Sequence, residues 1–175
     1  MSEFTVTEKT ALCVNCTKEQ IDSLPSHLEE LDIDFYKQIV FDLDLSRFTN
    51  LKKLRVISEY HVNPQVFVAA ADLEELVANG VCLRSCPRLP KLKKALFFEV
   101  DLQCPLYVTK AAKAISFTGN CQLRNNVIFV KQTGEERVLE NLVSIESSVD
   151  GDLLFEGSRF DKSRKLDEVH RWWFN

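Results

Sequence analysis

Six cysteines are the side chains of this sequence best suited to metal or redox chemistry. Cys13 and Cys16 form one close pair and Cys82 and Cys86 a second, which together supply the four thiolates that a structural zinc prefers. The repeat described below separates the two pairs by about three strands, roughly 14 Å at ordinary strand spacing, too far for one ion. We therefore predict free thiols that behave as small apolar residues, with Cys13 facing outward and Cys16 turning inward.

Catalysis finds little support in the other reactive side chains. The three histidines, His27, His61 and His170, lie in different parts of the chain, and Asp32 with Asp34 is the one close carboxylate pair, which we interpret as a solvated face. No nucleophile elbow, phosphate-binding glycine loop or metal-binding histidine pair is present, and five glycines leave little backbone suited to cradling phosphate. The sequence predicts no catalytic residues, no metal and no cofactor.

Composition predicts a single soluble domain spanning residues 1–175. The chain is 45% hydrophobic and 27% charged, which is ordinary for a globular protein. Its net charge of −4 argues against a nucleic-acid partner, because such surfaces are usually strongly basic. The sequence lacks a signal peptide at its start and any apolar run of roughly 18 residues. We expect a cytoplasmic protein with no membrane partner, although export without a visible signal stays open.

A four-residue phrase recurs along the chain with its charges inverted. It reads Leu-Glu-Glu-Leu from residue 28, Leu-Lys-Lys-Leu from 51, Leu-Glu-Glu-Leu from 73 and Leu-Lys-Lys-Ala from 92, with a weaker copy from 112. The steps between these starts are 23, 22, 19 and 20 residues. A third apolar residue stands two places after each phrase, which indicates a strand with one buried face. The segment 12–14, with Leu12 placed 19 residues before Leu31, is a candidate first strand.

Over about residues 9–120 these repeats resemble the leucine-rich repeat family, whose core phrase is Leu-x-x-Leu-x-Leu. The segment Ser-Leu-Pro-Ser-His-Leu-Glu-Glu-Leu-Asp-Ile from residue 23 is also similar to repeats of bacterial effector proteins, so a translocated effector stays open. The resemblance implies an α/β solenoid with a curved parallel β-sheet, one strand per repeat of 19–23 residues, and short helices, 3₁₀ turns or extended segments on the convex side. Residues 121–175 are interpreted as degenerate repeats and a C-terminal cap.

The segments between the phrases are predicted from local signals. Prolines at positions 64, 87 and 105 indicate turns. A capping box at Thr17–Gln20 predicts one short helix, and residues 65–71 are a candidate second helix. Alternating apolar residues from 39 to 45 predict an extended return path. A short helix over 166–174 would use its aromatic residues 172–174 to cover the open end of the solenoid.

Neighbouring phrases bring opposite charges together in two predicted rows. The rows are Glu29, Lys52, Glu74 and Lys93, and then Glu30, Lys53, Glu75 and Lys94. Opposite charges across strands contribute on the order of 0.2–1 kcal/mol per pair, and less where they are exposed. We interpret these rows as a salt ladder that sets the strand register, and contact with a partner is the alternative.

Two further rows pass from acidic to apolar side chains and are our candidate partner-binding residues. They are Asp32, Arg55, Val77 and Leu96 in one row, and Asp34, Ile57, Asn79 and Phe98 in the other. A gradient from polar to apolar along one face of a sheet suits a protein–protein interface. The alternative is that loops or the C-terminal segment cover these residues.

We expect a non-enzymatic, monomeric module that binds a partner protein on the concave face of the sheet. One alternative is an adaptor or substrate-receptor subunit similar to F-box proteins with leucine-rich repeats, whose F-box another chain would have to provide. A second is an enzyme built on the C-terminal third with Asp150, Asp152, Asp161 or His170. A third is end-to-end self-association through uncovered terminal strands.

Overall fold

The computed structural model describes residues 2–59, 63–112, 114–119, 121–125, 127–131, 133–139, 145–147 and 153–155. These ranges form seventeen strands and one helix. In chain order the elements are β1 (Glu3–Val6), β2 (Thr10–Val14), α1 (Lys18–Asp22), β3 (Glu30–Phe35), β4 (Leu43–Leu45), β5 (Lys53–Ser58), β6 (Gln65–Val68), β7 (Glu75–Asn79), β8 (Cys82–Ser85), β9 (Lys94–Phe98), β10 (Asp101–Leu102), β11 (Leu106–Thr109), β12 (Ala114–Thr118), β13 (Gln122–Leu123), β14 (Val127–Val130), β15 (Glu136–Leu139), β16 (Ile145–Ser147) and β17 (Leu153–Phe155). The described chain is therefore mostly β, and not the α/β arrangement that the resemblance implied.

The recurring phrase forms one long sheet of nine strands in the order β1-β2-β3-β5-β7-β9-β12-β16-β17. Neighbours from β2 to β12 run parallel, whereas β1, β16 and β17 pair antiparallel at the two ends. Leu31, Leu54, Leu76, Ala95 and Ile115 lie opposite one another across these strands. The predicted parallel sheet with one strand per repeat is confirmed.

The return path of each repeat is extended and builds two smaller sheets. Strands β4, β6, β8, β10 and β13 form a parallel five-stranded sheet, and β14 pairs parallel with β11 and antiparallel with β15. The prediction of an extended path near residues 39–45 is confirmed at β4. The predicted helix at 65–71 is wrong, because Val66 and Val68 alternate toward the core as the strand β6. The described chain is thus a parallel-strand solenoid.

One continuous apolar core fills the space inside the turns. The inward residues of the long sheet and those of the second sheet belong to the same buried cluster. Its aromatic members include Phe97 and Phe117, whose rings stack with centroids 4.6 Å apart on the neighbouring strands β9 and β12. Two rings stacked in a dry core stabilise the fold by contact as well as by burial.

A left-handed backbone position ends several strands of the long sheet at the same corner. Asn15, Gly80, Glu99 and Gly119 each follow the last residue of β2, β7, β9 or β12, and their φ angles are 49°, 61°, 52° and 69°. Gly80 is the most constrained, because a Cβ atom there would lie 2.0 Å from the carbonyl oxygen of Ser58. Only glycine fits where two turns approach this closely.

The first turn differs from the others because a helix takes the place of its second strand. The predicted capping box is confirmed: the Thr17 side chain accepts from Gln20 N, and the Gln20 side chain accepts from Thr17 N. Arg47 Nη2 then donates to the carbonyl oxygens of Ile21 and Leu24 at 2.9 and 2.8 Å, which satisfies the C-terminal end of α1. Among the described residues, no helix has the length and apolar character needed to cross a membrane.

Candidate functional site

The outward side of the long sheet, called here the outer face, carries all eight candidate residues. Their register is the predicted one. Asp32, Arg55, Val77 and Leu96 lie opposite one another on β3, β5, β7 and β9, and Asp34, Ile57, Asn79 and Phe98 form the row beside them. Side chains alternate between the two faces of a strand, so the same repeats that bury the leucines bring these residues onto one surface.

Arg55 joins two carboxylates at the acidic end of the outer face. Its Nη1 lies 2.6 Å from Asp32 Oδ1 and 2.7 Å from both carboxylate oxygens of Asp34. The Asp34 side chain is only 7% exposed, and the Tyr36 hydroxyl donates to it at 3.2 Å. The charge of Asp34 raises the pKa of Tyr36, and burial raises the pKa of Asp32 even beside the guanidinium. Two carboxylates thus share one cation.

Apolar side chains occupy the other end of the outer face. Val77 and Leu96 are half-buried on neighbouring strands, and the Phe98 side chain is 44% exposed. Gly119 lies under the Phe98 ring: a Cβ atom there would come within 3.1 Å of the ring. Ile57 is also half-buried. The structure therefore presents an apolar strip two to three strands away from the acidic end.

A shallow depression of about 530 Å³ joins this strip to the N-terminal edge of the sheet. Its walls come from the outward side chains of six neighbouring strands, β1 to β9 in the order of the sheet. They include Glu3, Thr5, Leu12, Asp32, Arg55 and Val77. The contribution of β1 was not predicted, although Phe4, Thr5 and Val6 are residues that favour strands.

The charge rows at the start of the strands neutralise themselves. Glu29 accepts from Lys9 at 2.7 Å and from Lys52 at 2.6 Å, and Lys93 donates to Glu74 at 2.6 Å. Lys9 extends the predicted row by one turn; its position 20 residues before Glu29 was the available signal. Hydrogen bonds from Lys52 and Lys9 lower the pKa of Glu29 to about 2. The predicted ladder of opposite charges is confirmed for these pairs.

The cysteines lie in the core and not on the outer face. Cys13 is fully buried, so its predicted outward orientation is wrong, and Cys16 is buried as predicted. The error is one of register: Ala11, not Leu12, lies opposite Leu31, and a shift of one residue exchanges the two faces of a strand. Burial raises the pKa of Cys13 to about 12, which disfavours the reactive thiolate. All six thiols are free.

The other residues considered for chemistry do not assemble near the outer face. His27 is exposed, and its Nε2 lies 2.9 Å from the carbonyl oxygen of Glu8 at the start of the strands. His61, His170, Asp150, Asp152, Asp161 and the aromatic residues 172–174 lie outside the described residues. Within the described part of the chain, no group of three or more histidine, cysteine or acidic side chains could hold a metal ion.

The fold and the outer face define the class of protein to which this chain belongs, a parallel-strand solenoid with a mixed acidic and apolar sheet surface. Comparison with family models, with curated proteins and with solved structures found no match. What the chain does must therefore be argued from the surface itself.

Proposed function

We propose that this chain is a protein-binding module similar to leucine-rich repeat proteins, and that the partner docks on the outer face of the long sheet. The observation that carries the proposal is Phe98, a large aromatic ring 44% exposed at the end of a strip formed with Val77 and Leu96. Aromatic side chains that stay accessible beside other apolar groups are typical centres of interfaces. Six free thiols suit a reducing compartment, so we place the protein in the cytoplasm.

The two kinds of row on the sheet support different roles. The rows that contain Glu29, Lys52, Glu74 and Lys93 are ion pairs between side chains of the chain itself, which leaves them little to offer a partner. Val77, Leu96 and Phe98 make no such polar pairs, and covering them removes apolar surface from water. The strip is therefore the better candidate for the centre of the interface.

The acidic end specifies the chemistry that a partner should bring. Asp32 and Asp34 share the single guanidinium of Arg55, which leaves an excess of one negative charge. Three strand steps separate β3 from β9, about 14 Å at ordinary spacing. A partner that carries a lysine or arginine about that far from an apolar side chain would meet both ends of the face.

Site-specific photo-crosslinking tests the proposal. A photoreactive phenylalanine analogue replaces Phe98 in one sample and Val40 in a control, because Val40 is 92% exposed and lies outside the sheet. We expect a discrete crosslinked protein at position 98 and none at position 40 in native extract. The crosslinked protein, once purified, is titrated against the wild type and against Phe98→Asp and Val40→Asp.

The two aspartate variants are matched, since each places one acid on an exposed apolar position. Phe98→Asp is expected to weaken binding at least about tenfold, because a charge would be desolvated at the centre of the interface, and Val40→Asp is expected to bind as the wild type does. Equal thermal unfolding of both variants is the control for folding. Equal loss of binding in both variants, or a crosslink of equal yield at position 40, would overturn the proposal.

A further inference from the structure

The first strand of the long sheet presents a second interaction surface. β1 pairs with β2 along one edge, and within the described ranges no strand pairs with its other edge. All four of its residues are exposed. The strand contains no proline or lysine and pairs with β2 without a bulge, so it lacks devices that usually keep an edge from pairing. Such an edge is a template for a further strand.

The main-chain groups on this edge follow from the hairpin. The Thr7 N–H donates across the turn at 2.8 Å, and antiparallel residues alternate between hydrogen-bonded and non-hydrogen-bonded positions. Glu3 and Thr5 therefore bond to β2, whereas the N–H and C=O groups of Phe4 and Val6 point away from it. Four main-chain groups are left to pair with a strand outside the hairpin.

The side chains of the same two residues are apolar and incompletely covered. Phe4 and Val6 lie opposite Cys13 and Ala11, which places them on the inward face of the sheet. They are nevertheless 40% and 39% exposed, whereas Cys13 and Ala11 are buried. The core of the solenoid ends beneath β2, and the side chains of β1 extend beyond it.

We propose that β1 pairs antiparallel with β1 of a second copy of this chain, about a two-fold axis that passes through Thr5. In this register Phe4 of each copy lies opposite Val6 of the other, and both pairs exchange main-chain hydrogen bonds. Thr5 lies opposite Thr5, and Glu3 opposite Thr7, so no like charges meet. The apolar pairs cover the open first turn of both solenoids. Because each copy uses the same strand, the assembly closes as a dimer.

The pairing surface is independent of the apolar strip on the outer face, and its test needs no partner protein. Sedimentation equilibrium from micromolar to millimolar concentration compares the wild type with Val6→Pro and Val6→Ala. Proline at position 6 removes an N–H that points away from β2, so the hairpin is retained. Alanine removes most of the same side chain but keeps the N–H, and it is the matched control.

We expect a reversible monomer–dimer equilibrium for the wild type and a modest weakening for Val6→Ala. Val6→Pro should raise the dissociation constant at least about tenfold beyond Val6→Ala, because hydrogen bonds are lost in both symmetric pairs. In the wild type, hydrogen exchange at the Phe4 and Val6 amides should slow as the concentration rises. A wild type that stays monomeric, species larger than a dimer, equal association by the two variants, or exchange at these amides that does not depend on concentration would overturn the proposal.

Discussion

Arg55 Nη1 lies 2.7 Å from both carboxylate oxygens of Asp34, across the gap between β5 and β3. Asp34 Oδ1 has no hydrogen-bond partner of good geometry, so the guanidinium charge is the principal compensation for a carboxylate that is 7% exposed. Arg55→Met keeps the length of the side chain but removes this charge. We expect it to lower the free energy of unfolding by about 1–3 kcal/mol, less than for a fully buried pair because Arg55 is partly exposed.

A double-mutant cycle isolates this charge effect from lost packing. Asp34→Asn removes the charge of the carboxylate, so the double variant Asp34→Asn, Arg55→Met should be more stable than Arg55→Met alone. Urea unfolding of the four proteins measures the coupling. Strictly additive effects would show that Arg55 acts through its apolar stem and that the ion pair contributes nothing.

Gly80 and Gly134 share a left-handed backbone but differ in their surroundings. A Cβ atom at Gly80 would meet the Ser58 carbonyl oxygen at 2.0 Å, whereas nothing lies within 4 Å of the same atom at Gly134. Gly80→Ala should therefore destabilise the protein by at least about 3 kcal/mol, and Gly134→Ala by about 1 kcal/mol from the backbone alone. Thermal and urea unfolding compare the two, and similar losses would mean that the corner relaxes.

The long sheet could be predicted from the sequence because each phrase carries its own register. Leu31, Leu54 and Leu76 are buried beside an outward charge, and a slip of one residue would bury the charge, so the pattern admits one alignment. The first strand shows the limit of this reasoning. It has no such phrase, and a 19-residue step to Leu31, where the structure uses 20 from Ala11, exchanged the faces of Cys13 and its neighbours.

The second set of strands could not be derived from periodicity. The segment Val66-Phe67-Val68 is too short to distinguish a strand from a helix, and its β-branched residues were the signal that favoured β6. The outward position of the eight candidate residues was predictable from alternation alone. The tie between Arg55 and both aspartates was not, because it depends on side-chain reach and not on register.

Phe97 and Phe98 are neighbours in the sequence with opposite environments. Phe97 is buried and stacks on Phe117 at 4.6 Å, whereas Phe98 is partly exposed on the outer face. Phe97→Ala should cost about 3–5 kcal/mol of stability, and Phe98→Ala less than about 1 kcal/mol. Chemical denaturation measures both. A large loss for Phe98→Ala would mean that this ring is a structural residue, and its use as a binding contact would lose its basis.

Glu29 links the stability of the fold to pH. Hydrogen bonds from Lys52 and Lys9 lower the pKa of its carboxyl to about 2 in the folded protein, below the ordinary value of 4.5 that applies when the chain unfolds. The unfolded state therefore binds the proton more readily, and the stabilisation is complete above about pH 5 and is lost as the pH falls toward 2. Glu29→Gln removes the charge but keeps the shape of the side chain.

The stability difference between wild type and Glu29→Gln should accordingly favour the wild type at pH 7 and shrink as the pH is lowered to about 2. Because the pair is exposed, high salt should reduce the difference at pH 7 as well. Urea unfolding at a series of pH values and a direct NMR titration of the Glu29 carboxyl measure the two sides of this linkage. A difference that stays constant from pH 7 to about 2 would show that Lys9 and Lys52 do not hold the carboxylate in solution.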